Sequence, residues 1–162
     1  MKLLKRRAGS YVPVLLTVMV MGIIFLFSSQ RAEQSNAVSV FVTERIVKLL
    51  PQTRELEAAE QEKLVKKWNS RVRKYAHITI FFVLGMTVCV WLLRRGINWK
   101  RYVAVLFICF LYAVSDELHQ MFVGGRGPMI KDVGIDFLGS MLGSGAGAAV
   151  IELQKHIRKI SL

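Results

Sequence analysis

Cysteine is scarce in this sequence of 162 residues, and no segment of it is repeated or of low complexity. The two cysteines, Cys89 and Cys109, lie inside long apolar runs and have neither the spacing of metal ligands nor a water-exposed setting for a disulfide. We interpret both as small buried apolar residues. These features argue against a disulfide framework, a cysteine-based metal site and a repeat architecture.

Acidic residues are also few, 11 against 23 Lys and Arg, and the formal net charge is +12. Such an excess of positive charge raises the question of a nucleic-acid partner. The basic residues are, however, spread among all the loops, and no basic face is separated from the segments expected to face lipid. We therefore predict no nucleic-acid partner.

Long apolar runs decide the class of protein. A helix of about 20 residues rises about 30 Å, the thickness of the hydrocarbon core of a bilayer. Runs of roughly this length predict a polytopic all-α membrane bundle, a single domain over 1–162 with four transmembrane helices at about 11–28, 76–93, 101–120 and 133–151. The first run exceeds a normal signal-peptide core and lacks a good cleavage site, so we expect it to remain as a span.

Short basic loops predict the orientation of the bundle. The segments "MKLLKRR", "RRGINWKR" and "QKHIRK" concentrate positive charge on one side, which indicates that both termini are cytoplasmic. The long loop at 29–75 would then be exoplasmic. Within it Val38, Val42 and Ile46 recur at helical spacing until Pro51, which predicts an amphipathic helix, either in the headgroup region or packed over the bundle.

The fourth run is rich in glycine, with Gly139, Gly143 and Gly147 at every fourth position. Small residues at this spacing allow another helix to approach closely. On a helical wheel these glycines share a sector of about 80° with Asp132 and Asp136. The two carboxylates are therefore expected to point into the bundle and away from lipid.

Ionisable residues cluster where the third run ends and the fourth begins. Asp116, His119 and Gln120 share one side of a helix, while Glu117 is rotated from Asp116 by about 100°. An ionisable residue within a membrane span costs several kcal/mol of free energy unless it is paired, so we expect such a residue to have a functional role. We predict one exoplasmic pocket from these helix ends, the connecting loop and the start of the second span, with the following members: His77, Asp116, His119, Gln120, Arg126, Asp132 and Asp136.

Further ligand-binding candidates are Arg73, Lys74 and Glu117. The cluster is also compatible with ordinary interfacial ion pairs, Asp116 with Arg126 or Asp136 with Lys131, and the sequence leaves this alternative open. Asp116 and His119 with Asp132 or Asp136 include the donor types of a metal site, but they lack a compact metal motif, and we assign none. The sequence leaves the question of a cofactor open.

Several motifs taken in order resemble the VanZ-like family of bacterial membrane proteins. They are "RKYAH" followed by "FFVLG", then "DELHQMFVGGRG" and "KDVGIDFLG", with "FSSQ" as weaker support. The chain departs from the family pattern at four positions: Ile80 and Phe81 replace a polar pair, Gly124 a proline, and Asp136 an asparagine. The resemblance implies a role in the bacterial cytoplasmic membrane and cell envelope, and the family's namesake is linked to teicoplanin resistance.

Three functions fit these features. The first is binding of an anionic membrane lipid headgroup, a lipid-linked cell-wall precursor or the glycopeptide itself, with Arg73, Lys74 and Arg126 holding the anion. The second is a membrane enzyme that hydrolyses or transfers a headgroup, with His77 or His119 as general base and Asp116 or Asp132 orienting it. The third is a structural partner of another membrane protein. No ready nucleophile is visible in the motifs, so whether the protein is an enzyme stays open.

Overall fold

Five α-helices make up the regular structure in the computed structural model, which describes residues 2–94, 96–124 and 130–160. In chain order they are α1 (Lys2–Ser28), α2 (Ala32–Leu49), α3 (Ala58–Leu93), α4 (Trp99–Met121) and α5 (Ile130–Ile160). Four of them, namely the Tyr11–Ser28 part of α1 together with α3, α4 and α5, are long and apolar enough to cross a membrane. This confirms the predicted fold class, four membrane helices with an additional helix in the first loop.

The four long helices alternate in direction. Hydrogen bonds join the end of α1 to the end of α4, so these two helices run parallel. The membrane part of α3 and the start of α5 meet at that same end of the bundle. We call it the polar end, because the ionisable side chains of the helices collect there.

The third helix is longer than the sequence pattern indicated. It begins at Ala58 rather than near Ala76, and its 36 residues are continuous. At about 1.5 Å per residue it is roughly 54 Å long, against about 30 Å for a hydrocarbon core. The first half of α3 therefore extends beyond the membrane segment, and much of the predicted loop at 29–75 is helical.

The additional helix, α2, packs against that first half of α3. It ends at Leu49, two residues before Pro51, as the spacing predicted. Its buried residues are Ser39, Thr43 and Val47, which face α3, and Asn69 of α3 donates to the side-chain oxygen of Asn36 at 2.7 Å. The apolar residues Val38, Phe41, Val42 and Leu49 stay exposed. Of the two predicted placements, packing on the bundle is present, and the apolar face is left uncovered.

The α3 and α5 helices make the closest contact of the bundle. Three glycines of α5 lie against backbone carbonyls of α3: Gly139 against Ile78, Gly143 against Phe82 and Gly147 against Met86. The contacts recur at every fourth residue on both helices. From the other side, Gly85 of α3 lies against the backbone of Ser140. Contact this close is possible only where no Cβ intervenes, as is usual for small residues between membrane helices. We call this contact the glycine seam.

Two hydrogen bonds made by tyrosine side chains attach α4 to its neighbours. The hydroxyl of Tyr112 donates to the carbonyl oxygen of Met21 in α1 at 2.6 Å, and the hydroxyls of Tyr102 and Ser144 lie 3.3 Å apart between α4 and α5. Such bonds are favourable in lipid, where no water can replace them. Cys89 and Cys109 are fully buried in the apolar core, in agreement with their interpretation as core residues.

Candidate functional site

The first element of the site is a pair of side chains above the glycine seam. Nδ1 of His77 in α3 lies 3.4 Å from Oδ1 of Asp136 in α5. Asp136 is 2% exposed, whereas His77 is partly open to the surface. Oδ1 of Asp136 has no hydrogen-bond partner among the described residues, so the contact is an ion pair when His77 is protonated. The carboxylate holds the imidazole by one nitrogen and leaves Nε2 for another partner.

The second element joins α4 to the end of α1. Nε2 of Gln120 donates to Oδ2 of Asp116 at 2.8 Å and also to the hydroxyl of Ser28 at 3.2 Å. All three side chains are buried. His77 and Asp132 lie within electrostatic range of the same acidic cluster, Asp132 being half-buried. The structure thus brings His77, Asp116, Gln120, Asp132 and Asp136 together at the polar end.

His119 belongs to a third element at the rim of this cluster. Its Nε2 lies 3.0 Å from the hydroxyl of Ser29, and its ring stacks on Phe25 with centroids 4.5 Å apart. The Ser29 hydroxyl also donates to the carbonyl oxygen of Phe25 at 2.7 Å. In this arrangement the serine proton is on the Phe25 side, so Nε2–H of His119 donates to the serine oxygen.

The remaining candidates have different surroundings. Glu117 is buried on α4, Lys74 is exposed, and Arg73 is half-buried on α3. No hydrogen bond or ion pair to the side chains of Arg73 and Lys74 occurs within residues 2–94, 96–124 and 130–160. Arg126 lies outside the described residues. Of the interfacial pairs considered as alternatives, Asp136 is paired with His77 rather than with Lys131.

Metal binding receives no geometric support in the part of the chain that the structure describes. No group of three or more His, Cys, Asp and Glu side chains there is placed to hold a metal ion. Asp116 uses one oxygen on Gln120, and the described contacts of His119 are with α1.

A groove of about 470 Å³ opens beside His77, between α1, α2 and α3. Its volume is within the range of about 300–1,000 Å³ that is usual for small-molecule sites. Arg73 and His77, one turn apart on α3, both line it. Its other walls are mostly apolar and come from three helices, with members that include Ile24, Phe27, Val38, Val42, Ile80 and Val83.

The model of the VanZ/LLP1 family matches residues 13–151. That range covers the first apolar segment from Pro13 onward, all of α3 and α4, α5 as far as Ile151, and every residue of the polar end described above. The chain belongs to the VanZ/LLP1 family. No curated protein and no solved structure matches it. With four helices able to cross a membrane, this VanZ/LLP1 protein is a multi-pass membrane protein.

The sequence analysis singled out Ile80, Phe81 and Gly124 of this VanZ/LLP1 protein, and the structure shows what each of them contacts. Phe81 is fully buried, with its ring centroid 6.2 Å from that of Tyr112, and Ile80 lines the groove. These apolar residues follow His77 along α3, and the polar cluster stops at His77. The carbonyl of Gly124 accepts from the backbone N–H of Ala32 at 3.3 Å, which ties the end of α4 to the start of α2.

The sequence analysis did not predict two site residues of the VanZ/LLP1 chain, Ser28 and Ser29. They lie about 90 positions before their partners Gln120 and His119. The only signal that pointed to them was the "FSSQ" segment, which gave weak support to the resemblance. Their contacts depend on the parallel arrangement of α1 and α4, which spacing along the chain does not encode.

Proposed function

We propose that this VanZ/LLP1 protein binds an anionic membrane lipid by its headgroup at the polar end, on the exoplasmic side of the bacterial cytoplasmic membrane. One observation carries the proposal: Arg73 is half-buried at the mouth of the groove without an ion pair or hydrogen bond in the described chain. A guanidinium partly removed from water is stabilised by an anionic partner.

His77 supports the same assignment. It stands one turn after Arg73 on the groove-lining face of α3, and side chains four residues apart on a helix are neighbours. With Nδ1 held by Asp136, its other nitrogen is left to donate to a phosphate or carboxylate oxygen. Lys74, exposed beside them, adds long-range attraction. In this proposal the buried carboxylates position the imidazole and do not contact the anion.

A matched pair of variants tests the headgroup site. Arg71 lies on the same helix as Arg73, but it is exposed and does not line the groove. Charged hydrogen bonds contribute about 1.5–3 kcal/mol, so Arg73→Gln should weaken phosphatidylglycerol binding about 10- to 100-fold. Arg71→Gln should retain binding. Native mass spectrometry of the detergent-solubilised protein with added phosphatidylglycerol measures both, and equal losses in the two variants would contradict the proposal.

A protective role in the envelope follows from the proposal. Binding of an anionic envelope component, including a lipid-linked cell-wall precursor, would change the surface that a glycopeptide meets. Cells producing the wild-type chain are then expected to tolerate more teicoplanin than cells producing Arg73→Gln at equal membrane levels. Equal minimum inhibitory concentrations of teicoplanin for the two kinds of cell would show that lipid binding through Arg73 does not contribute to resistance.

A second candidate function is hydrolysis or transfer of a lipid-linked headgroup. The contact between Ser29 and His119 favours it, since a hydroxyl and a neighbouring imidazole are the parts of an activated nucleophile. For attack the imidazole must carry its proton on Nδ1, so that Nε2 is unprotonated, and the hydroxyl must turn from the Phe25 carbonyl toward Nε2, which then accepts the serine proton. Ser29→Ala and His119→Asn should each abolish headgroup release while lipid binding persists. Unchanged release in both variants would reject the enzyme.

A further inference from the structure

We propose that the groove between α1, α2 and α3 holds one hydrocarbon chain of the bound lipid, an inference that rests on the headgroup site proposed above. The ligand is then a lipid of the surrounding leaflet, and a water-soluble anion alone is not its natural form.

The chemistry of the groove changes along its length. Near Arg73 and His77 its lining includes Ser28 and Gln30, whereas deeper along α3 it is formed by apolar side chains such as Ile80 and Val83. The part of the groove that runs from these polar residues toward the middle of the membrane is mainly apolar, which suits the hydrocarbon chain of an amphiphile whose charged end lies at Arg73.

The length of the groove matches one leaflet. On α3 its lining runs from Val72 to Val83, which at about 1.5 Å per residue is roughly 16 Å. Half of a hydrocarbon core of about 30 Å is about 15 Å. A chain whose headgroup lies beside Arg73 would therefore lie along α3 to about the middle of the bilayer.

The walls of the groove are already suited to lipid. Phe27 on α1 and Val83 on α3 both line the groove and are exposed to extents of 56% and 38%. No described side chain closes over them. A hydrocarbon chain lying between α1 and α3 covers these side chains without a second protein.

Photocrosslinking tests the inference on the full-length protein in nanodiscs. The probe is phosphatidylglycerol with a diazirine on one acyl chain, and the modified peptides are located by mass spectrometry. Modification is expected on the groove-lining segments of α1 and α3. Val83→Trp, which places an indole in the groove, should reduce this modification about tenfold, whereas Leu26→Trp on α1, which does not line the groove, should leave it unchanged. Both positions are exposed, and thermal unfolding of each variant checks that the fold persists.

The outcomes separate the chain site from the headgroup site. If phosphatidylglycerol binding depends on Arg73 but the diazirine modifies only outward-facing residues such as Leu15 and Met19, the chain inference is overturned and the headgroup proposal stands. If phosphatidylcholine carrying the same diazirine modifies the groove equally and Arg73→Gln has no effect, the chain site stands and the anionic headgroup is rejected.

Discussion

Replacing one glycine of the seam by alanine should destabilise the bundle measurably. In Gly143→Ala the new Cβ would overlap the carbonyl oxygen of Phe82 and lie 2.7 Å from its carbonyl carbon and 2.9 Å from its Cα. Optimal carbon–carbon contacts are about 3.5–4.0 Å, so α5 must move away by about 1 Å. A gap of that size forfeits roughly a quarter to a half of the dispersion energy between facing atoms.

We therefore expect Gly143→Ala to lower the free energy of unfolding by about 1–3 kcal/mol, the usual cost of overpacking. For a chain of this size that corresponds to a fall in Tm of about 2–12 °C. Thermal unfolding in detergent, followed by the fluorescence of the three tryptophans, measures it.

Gly145→Ala is the matched control on the same helix. Gly145 is exposed, and a Cβ there would meet nothing within 4 Å. Alanine favours a helix over glycine by about 0.5–1 kcal/mol, so this variant should melt at the same temperature as the wild type or slightly higher. If both variants melted alike, the seam would not be the close contact that the structure describes, and the reasoning would fail.

Three further predictions concern the polar end and the core. In a double-mutant cycle, His77→Asn and Asp136→Asn should be coupled by about 0.5–3 kcal/mol, measured by thermal unfolding, and strictly additive losses would refute the pairing. Tyr112→Phe should lower stability by about 0.5–1.5 kcal/mol through loss of its bond to Met21, whereas Tyr75→Phe, at an exposed position, should not; equal effects would count against that bond. Cys89 and Cys109, both 0% exposed, should resist maleimide in the folded protein, while Ser29→Cys should react with a membrane-impermeant maleimide in intact cells. Reaction only after permeabilisation would place the polar end in the cytoplasm and overturn the predicted orientation.

The sequence predicted the architecture well because membrane helices are specified locally. Length and apolar composition indicate a span without knowledge of its neighbours, and the glycine spacing indicated the packing face of α5. The sequence predicted a membrane span at about 76–93 but did not show that its helix begins at Ala58. From Ala58 onward no proline interrupts the helix, and its outer half is charged while its inner half is apolar, so the two halves looked like separate segments although the backbone is continuous.

The candidate site was predictable only in part. The position of Asp136 on the glycine-bearing face follows from helical geometry along a single element. By contrast, the bond of Gln120 to Ser28 and the contact of His119 with Ser29 depend on how α1 docks against α4. The groove depends on three helices and on α2 leaving its apolar face uncovered. Relations of this kind are set by packing, which a pattern along one stretch of sequence cannot specify.

The glycine seam also limits how the molecule can move. Since backbone meets backbone at three successive turns, α3 and α5 cannot slide past one another by a fraction of a turn without collision. We expect these two helices to behave as one rigid body that carries both His77 and Asp136. Any motion that opens the polar end would then be a motion of α1 and α4 relative to that body, and it would have to break the bonds that Ser28 and Ser29 make to α4. A change in the width of the groove would thus come from movement of α1, while the contact between His77 and Asp136 stays assembled throughout.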